Sequence, residues 1–269
     1  MFKTAICTII KDEHQYLDEW IRYHLEIGFD EIWIYEDFTS KSHQSITLKY
    51  PNVVLNRLES IRPELKRVVG GGDKQRRTWM YFMKTYRHLF DYVAFIDVDE
   101  FITFEEGYNL QKLLEEFDGQ GGIYLYWKMF NANGIIDNPK TDVVTTFTQE
   151  CGYPKCYLDL QWTLKSLCDI RLVNQEFFNN HVTLLGVDTD GKRDRKNYCY
   201  KKAWINHYFT RSWEEWCNRF IIRGDIISGN RKLDEFFELN PDMLNKKDEL
   251  MEKYREYEEK YKQSLNINE

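Results

Sequence analysis

Tyr92-Val93-Ala94-Phe95-Ile96-Asp97-Val98-Asp99-Glu100-Phe101 is the stretch whose reading decides the fold. Apolar and aromatic residues run straight into an acidic cluster. The run is short, rich in β-branched and aromatic types, and free of polar alternation. It therefore predicts a strand buried on both faces, of the kind found in the middle of a parallel sheet. Asp97 and Asp99 are two positions apart, so in an extended segment their side chains leave on the same side. Two carboxylates emerging together from a buried strand repel each other unless a cation lies between them. Oxygen ligands favour a hard divalent ion, Mn²⁺ or Mg²⁺. The plainer alternative is a pair of acids that caps a loop or pairs with arginine, since an isolated Asp-x-Asp is common by chance.

Upstream, the pattern repeats. Thr4 to Ile10 is a second apolar run, ending at Lys11-Asp12-Glu13. His14 to Ile27 carries Leu17, Trp20, Ile21, His24 and Leu25 at helical spacing, and Gly28 stops it. Glu31 to Tyr35 reads as a strand that runs into Glu36-Asp37. A helix near 42–49 and a strand near 53–58 follow. Strand, helix, strand, helix, strand at this spacing predicts a doubly wound, mostly parallel α/β sheet with helices on both faces. Gly70-Gly71-Gly72 precedes a helix over about 73–90. A glycine-rich loop at a helix start can bind phosphate, but the Gly-Lys-Ser/Thr ending is missing, which favours a linker. In open α/β sheets ligands bind at the C-terminal ends of strands. Asp12, Asp37 and the Asp97/Asp99 pair all fall at such ends and define a polar rim.

Downstream, a helix is expected over 110–117, a turn at Gly119–Gly122 and a strand over 123–127. Regularity then fades, and 138–160 reads as loop with short strands. Strands are expected over 165–173 and 203–207. Asp188-Thr189-Asp190-Gly191 reads as a solvated turn, because its spacing does not fit a calcium loop. Ser212 with Glu215 forms a capping box above Trp213, Trp216 and Phe220. Residues 242–265 predict a charged helix whose stripe of Leu250, Tyr254, Tyr257 and Tyr261 docks on the same protein.

Composition narrows the function. The chain has 269 residues, 16% aromatic, with a net charge of −7 spread among many lysines and arginines. That balance disfavours nucleic-acid binding, which needs a basic field. No apolar run approaches membrane-spanning length, and Met1-Phe2-Lys3 leaves no room for a signal peptide before the first strand. The six cysteines include no Cys-x-x-Cys pair and read as reduced thiols. The expectation is a cytoplasmic protein with at most peripheral contact at the inner face of the membrane.

Together these segments resemble a known pattern. Ala5-Ile6-Cys7-Thr8-Ile9-Ile10-Lys11-Asp12-Glu13, Leu17-Asp18-Glu19-Trp20-Ile21-x-Tyr23-His24 and Ile27-Gly28 resemble the opening of GT-A glycosyltransferases related to families 92 and 2. Ile34-Tyr35-Glu36-Asp37-x-Thr39-Ser40 resembles their second strand, where Tyr-Asp-Asn-x-Ser is more usual. Phe95 to Phe101 is similar to their Asp-x-Asp motif. Tyr126-Trp127-Lys128-Met129-Phe130-x-x-x-Gly134 resembles a Trp-Arg-x-Phe-Gly segment, with Met129 and Asn131 as departures. Lys165-Ser166-Leu167, His181, Ile205-Asn206-His207-Tyr208-x-x-Arg211-Ser212-x-Glu214-Glu215 and Arg223-Gly224 continue the match, which covers about 4–228.

The resemblance implies a GT-A-like domain over 1–240, with a nucleotide-sugar half over about 1–127 and an irregular acceptor half over about 128–240. A C-terminal helical extension would follow over 241–269. It also implies metal-dependent transfer from a nucleotide-sugar donor, UDP-linked, to a hydroxyl of a glycan or lipid-linked glycan. Inversion and a place in bacterial surface-polysaccharide assembly complete the expectation. The metal candidates are Asp97, Asp99 and His207, with His181 as the rival histidine. Asp12, Glu13 and Asp37 would face the nucleoside. Lys74, Gln75, Arg76 and Lys165 would reach the diphosphate. Trp127 would stack on a sugar, and Glu150 and Asp159 are the candidate bases. Each has a plainer role as a packed or solvated side chain. Two other readings stay open: a non-catalytic sugar-binding module, and a phosphohydrolase with Asp97 as nucleophile. The second would want a different sequence after Asp99 and a motif near the first strand.

Overall fold

Thr4–Ile10 forms strand β1, buried on both faces as its near-continuous apolar run predicts. It pairs in parallel with β2 (Glu31–Glu36) and with β4 (Tyr92–Phe95), and β2 pairs in parallel with β3 (Val53–Arg57). The crossovers hold helices α1 (Leu17–Glu26), α2 (Gln44–Thr47), α3 (Leu58–Ile61) and α4 (Gly71–Tyr86), with a 3-10 turn at Pro63–Arg67. Helix α1 buries Leu17, Trp20, Ile21 and His24, one stripe at helical spacing. Gly28, at φ 108°, turns the chain out of it. On the other face, Trp79, Phe82 and Met83 of α4 pack with Ala5, Cys7, Trp33, Tyr35, Val93 and Phe95. The structure, a computed structural model, describes residues 1–38, 41–67, 71–151, 164–173, 199, 201–221 and 233–266.

Beyond β4 the pairing changes. Strands β5 (Glu100–Phe104), β6 (Gly122–Met129), β7 (Leu164–Asp169) and β8 (Ala203–His207) follow, with α5 (Leu110–Glu116) between β5 and β6. The eight-stranded order is β3-β2-β1-β4-β7-β6-β8-β5. Strand β7 runs antiparallel to both β4 and β6, and β5 antiparallel to β8. The doubly wound α/β class holds, with β3-β2-β1-β4 paired in parallel.

Two boundaries differ from the sequence reading for identifiable reasons. The run 92–101 is not one extended segment: β4 stops at Phe95 and β5 begins at Glu100. The Asp97 N–H donates to Glu100 Oε2 (3.0 Å) and the Glu100 N–H to the Asp97 carbonyl (3.1 Å), closing a turn. Strand β7 ends at Asp169 rather than 173, because Leu172 and Val173 both donate back to the Asp169 carbonyl.

The chain divides into two compact units, Met1–Lys128 with Pro154–His207, and Met129–Tyr153 with Tyr208–Glu269. The second contains α6 (Val143–Thr146), α7 (Trp213–Ile221), α8 (Glu235–Leu239) and α9 (Lys247–Asn266). Ser212 Oγ accepts from the Glu215 N–H (3.3 Å) at the start of α7, as the capping box requires. The helix expected from 242 starts instead at Lys247, after a 3-10 turn over Pro241–Lys246. The stripe on α9 does dock: Leu250 is buried, and Tyr254 and Tyr257 pack on the cluster of Trp213, Trp216 and Phe236. Met243, Leu250, Tyr254 and Tyr257 thus share a core with α7 and α8. Among the described residues, the cysteines are free thiols and no helix is long and apolar enough to cross a membrane. The Asp188–Gly191 turn and Arg223-Gly224 lie outside the described residues.

Candidate active site

Four parallel strands bring their C-terminal ends to one edge of the sheet. Asp12 follows β1 in a left-handed conformation (φ 56°), Asp37 follows β2, and Asp97 follows β4. The Asp37 N–H donates to the Ile10 carbonyl (2.8 Å), which ties the first two ends together. Helix α4 then spans the rim. Lys74 Nζ donates to both Asp37 oxygens (2.9 and 3.0 Å), and Gln75 Nε2 donates to Asp97 Oδ1 (2.5 Å). Consecutive residues on one helical turn thereby hold two strand ends. Arg76 follows, half-buried.

The second oxygen of Asp97 is held from β7. Lys165 Nζ donates to Asp97 Oδ2 (2.7 Å) and lies 3.6 Å from Glu100 Oε1, with the Trp79 ring 5.3 Å away. The Lys165 side chain is 2% exposed. Burial pulls its ammonium pKa down, but the Asp97 and Glu100 carboxylates outweigh that and raise it above the usual lysine range. Burial pushes the Glu100 carboxyl well above its usual range, against the pull of Lys165. Glu100 is the member of this network that motif reading missed. Its signal was an acid placed as the first residue of a buried strand.

Asp99 meets a histidine from β8. Its Oδ1 lies 3.5 Å from His207 Nε2, and both side chains are largely buried. The antiparallel register of β5 and β8 sets Glu100 opposite His207, which explains how a distant histidine arrives beside the acidic turn. The Trp127 ring lies against the His207 imidazole, centroids 4.4 Å apart. Trp127 thus packs on the candidate ligand.

Among the described residues, no group of three or more His, Cys, Asp or Glu side chains forms a metal cage. The donor set nevertheless suits one class of ion. Mg²⁺ and its relatives use one or two protein ligands and complete their shell with water and substrate phosphates. Asp99 and His207 supply such a pair. Gln75 and Lys165 each donate to one oxygen of Asp97, so Asp97 belongs to the rim network and keeps lone pairs on both oxygens. Glu150 is exposed, in the second unit, at an isolated bridge to Phe130. Asp159 and His181 lie outside the described residues. Glu13 enters through its backbone, whose N–H donates to His43 Nε2 (3.1 Å).

Comparison with known proteins agrees with the sequence pattern. The model of glycosyltransferase family 92 matches residues 83–266, more than half of the chain. A glycosyltransferase family 92 protein of Ricinus communis is 24% identical over 230 residues, covering 81% of this chain and 37% of its own length. One of Oryza sativa subsp. japonica is 26% identical over 227 residues, covering 81% of this chain and 35% of its own. The chain therefore spans little more than a third of these relatives. Solved structures are more distant. Mannosyl-3-phosphoglycerate synthase from Rubrobacter xylanophilus is 12% identical at a TM-score of 0.39, covering 64% of this chain and 54% of its own. Glucosyl-3-phosphoglycerate synthase from Mycobacterium tuberculosis, crystallised with Mn²⁺, UDP and phosphoglyceric acid, is 16% identical at 0.38, covering 64% and 57%. On the family match, this chain belongs to glycosyltransferase family 92.

Proposed function

We propose that the chain transfers a sugar, with inversion, from a UDP-linked donor to a hydroxyl of a glycan or lipid-linked glycan, using Mn²⁺ or Mg²⁺. The observation that carries this reading is the convergence of Asp99, from the turn before β5, and His207, from the end of β8, at 3.5 Å. A diphosphate leaving group gathers negative charge as the glycosidic bond breaks, and a bound divalent ion would neutralise it as a Lewis acid. Asp99 and His207 would hold that ion, with Asp97 beside them as a further ligand. Gln75 and Lys165 fix Asp97, and Lys165 places a buried positive charge behind it. Asp12, Glu13 and Asp37 line the rim that would take the nucleoside, with Lys74 and Arg76 on the helix crossing it. An inverting displacement also needs a carboxylate to accept the acceptor proton, and Glu150 and Asp159 remain the proposed candidates.

The phosphohydrolase reading is less well supported, because the family match is to glycosyltransferases. Both curated relatives are plant proteins, so a bacterial surface-polysaccharide role is not part of the proposal.

The test is calorimetry with UDP and Mn²⁺. Asp99→Asn keeps the shape and removes the charge, while His207→Ala removes the second ligand. Each should weaken metal-dependent UDP binding by about tenfold or more. Unchanged binding in both variants would overturn the assignment. Screening UDP-, GDP- and CMP-sugars for turnover with and without Mn²⁺ separates a transferase from a module that only binds.

A further inference from the structure

A buried imidazole joins the strand ends that carry Asp12 and Asp37. His43 is 0% exposed and lies just before α2. Its Nδ1 lies 2.8 Å from Glu36 Oε1, and its backbone N–H donates to the same oxygen (2.6 Å). Its Nε2 receives the Glu13 N–H at 3.1 Å. A backbone N–H can only donate, so Nε2 must be the acceptor and Nδ1 must carry the proton. Glu36 is the last residue of β2, and its other oxygen meets Arg57 Nε, at the end of β3, at 3.2 Å. The His14 ring stacks on His43 with centroids 3.8 Å apart. The charged and titratable groups around the ring are therefore Glu13 and His14 from the turn after β1, Glu36 from β2, and Arg57 beyond Glu36.

We propose that His43 is a positioning residue for the nucleotide donor: its neutral imidazole pins the Asp12–Glu13 turn to β2, holding the rim in its binding arrangement. This rests on the reading of that rim as the nucleoside site. The turn needs such a tie. Asp12 sits in the left-handed region, which few non-glycine residues other than Asn and Asp adopt readily and which surrounding contacts must hold in place. A protonated ring would set an N–H against the Glu13 N–H and break the tie. Burial, together with the neighbouring His14, already disfavours that proton, while Glu36 and Glu13 oppose the effect. Donor affinity should therefore fall as the solution is acidified.

Two substitutions separate pinning from packing. His43→Asn can still donate to Glu36 but has no acceptor for the Glu13 N–H. His43→Gln can carry an amide oxygen to the Nε2 position. Hydrogen exchange at the Glu13 amide reads the tie directly, and calorimetry with UDP and saturating Mn²⁺ at pH 7.5 reads its consequence. In His43→Asn the amide should exchange about fivefold to tenfold faster and UDP should bind weaker by a similar factor, the worth of one hydrogen bond. His43→Gln should restore both to within about twofold. Unchanged Glu13 exchange in His43→Asn, or equal loss of UDP affinity in both variants, would overturn the inference. If His43→Asn does not fold, the pH profile of UDP binding from 7.5 to 5.5 decides. The parent should be steeper than His43→Gln, and identical profiles would count against the role. A parent that binds no UDP at all would instead sink the donor reading, and Glu13 exchange would still report whether His43 pins the turn.

Discussion

His24 shows how much one buried imidazole can weigh on stability. Its Nδ1 faces the Trp20 carbonyl (2.8 Å), and its Nε2 accepts the Ile102 N–H (3.3 Å), so α1 is stitched to β5 through a neutral ring. Burial lowers its pKa to about 3, only partly offset by the Trp20 carbonyl. The unfolded chain takes up the proton near the ordinary histidine value of about 6.5, whereas the folded chain resists it. The stabilisation is complete above that value and is lost as pH falls through the window towards about 3. Each pH unit inside the window costs about 1.4 kcal/mol. Urea unfolding at pH 7 and pH 5 should show a loss of about 2 kcal/mol from this residue, and His24→Gln should flatten the slope by that amount. An equal slope in both proteins would refute the assignment. Lys165 makes the complementary case for a buried cation. Lys165→Met strands the Glu100 and Asp97 carboxyls without their counter-charge and should cost about 3 kcal/mol at pH 7. Adding Asp97→Asn should recover part of that loss, because the two positions share one interaction. Additive losses would show that the pair is not coupled.

At the scale of elements, what could be read from the chain was what is encoded locally. Strands β1 and β8 have the bounds their apolar runs suggested, Thr4–Ile10 and Ala203–His207, because strand ends coincide with changes of composition. Strand β5 was hidden because it opens on an acid, and a charged first residue reads as the end of a strand. Only the turn closed by Glu100 onto Asp97 shows otherwise. The insertion of β7 between β4 and β6 was not legible at all, since non-local pairing leaves no mark on either partner's own pattern. The site divides the same way. Strand-end acids were visible as a class, and His207 through its motif. The Glu13–His43–Glu36 link joins two turns to the end of a strand and has no motif. Gly28 tests a local signal. At φ 108° it ends α1, with Leu110 Cβ 4.0 Å from where a Cβ would stand. Space is available there but the conformation is not, so Gly28→Ala should cost about 1 kcal/mol. The melting temperature should fall by about 2–4 °C. No change would mean that the turn relaxes to negative φ.

For the molecule as a whole, the second unit decides whether α9 belongs to the fold or merely follows it. A highly charged helix at the end of a chain invites the second view, and the sequence reading set it apart as an extension. The packing favours the first. Leu250 is 0% exposed among Trp213, Trp216, Phe236 and Phe237, and the Trp213 indole N–H donates to the Leu250 carbonyl (2.9 Å). Apolar groups recur along one side of α9, so its charges can line the rest of the helix while one stripe closes a core. Leu250→Ala removes the buried side chain but keeps the carbonyl that Trp213 uses, so it isolates packing from hydrogen bonding. The expected loss is about 2–5 kcal/mol, set by how far the aromatic cluster can collapse into the space. Arg255→Ala, exposed on the same helix, should change stability by less than about 0.5 kcal/mol. Urea unfolding followed by near-ultraviolet circular dichroism reports on the tryptophan environment in both variants. If Leu250→Ala were as mild as Arg255→Ala, α9 would contribute no core, and 241–269 would be the separate extension after all.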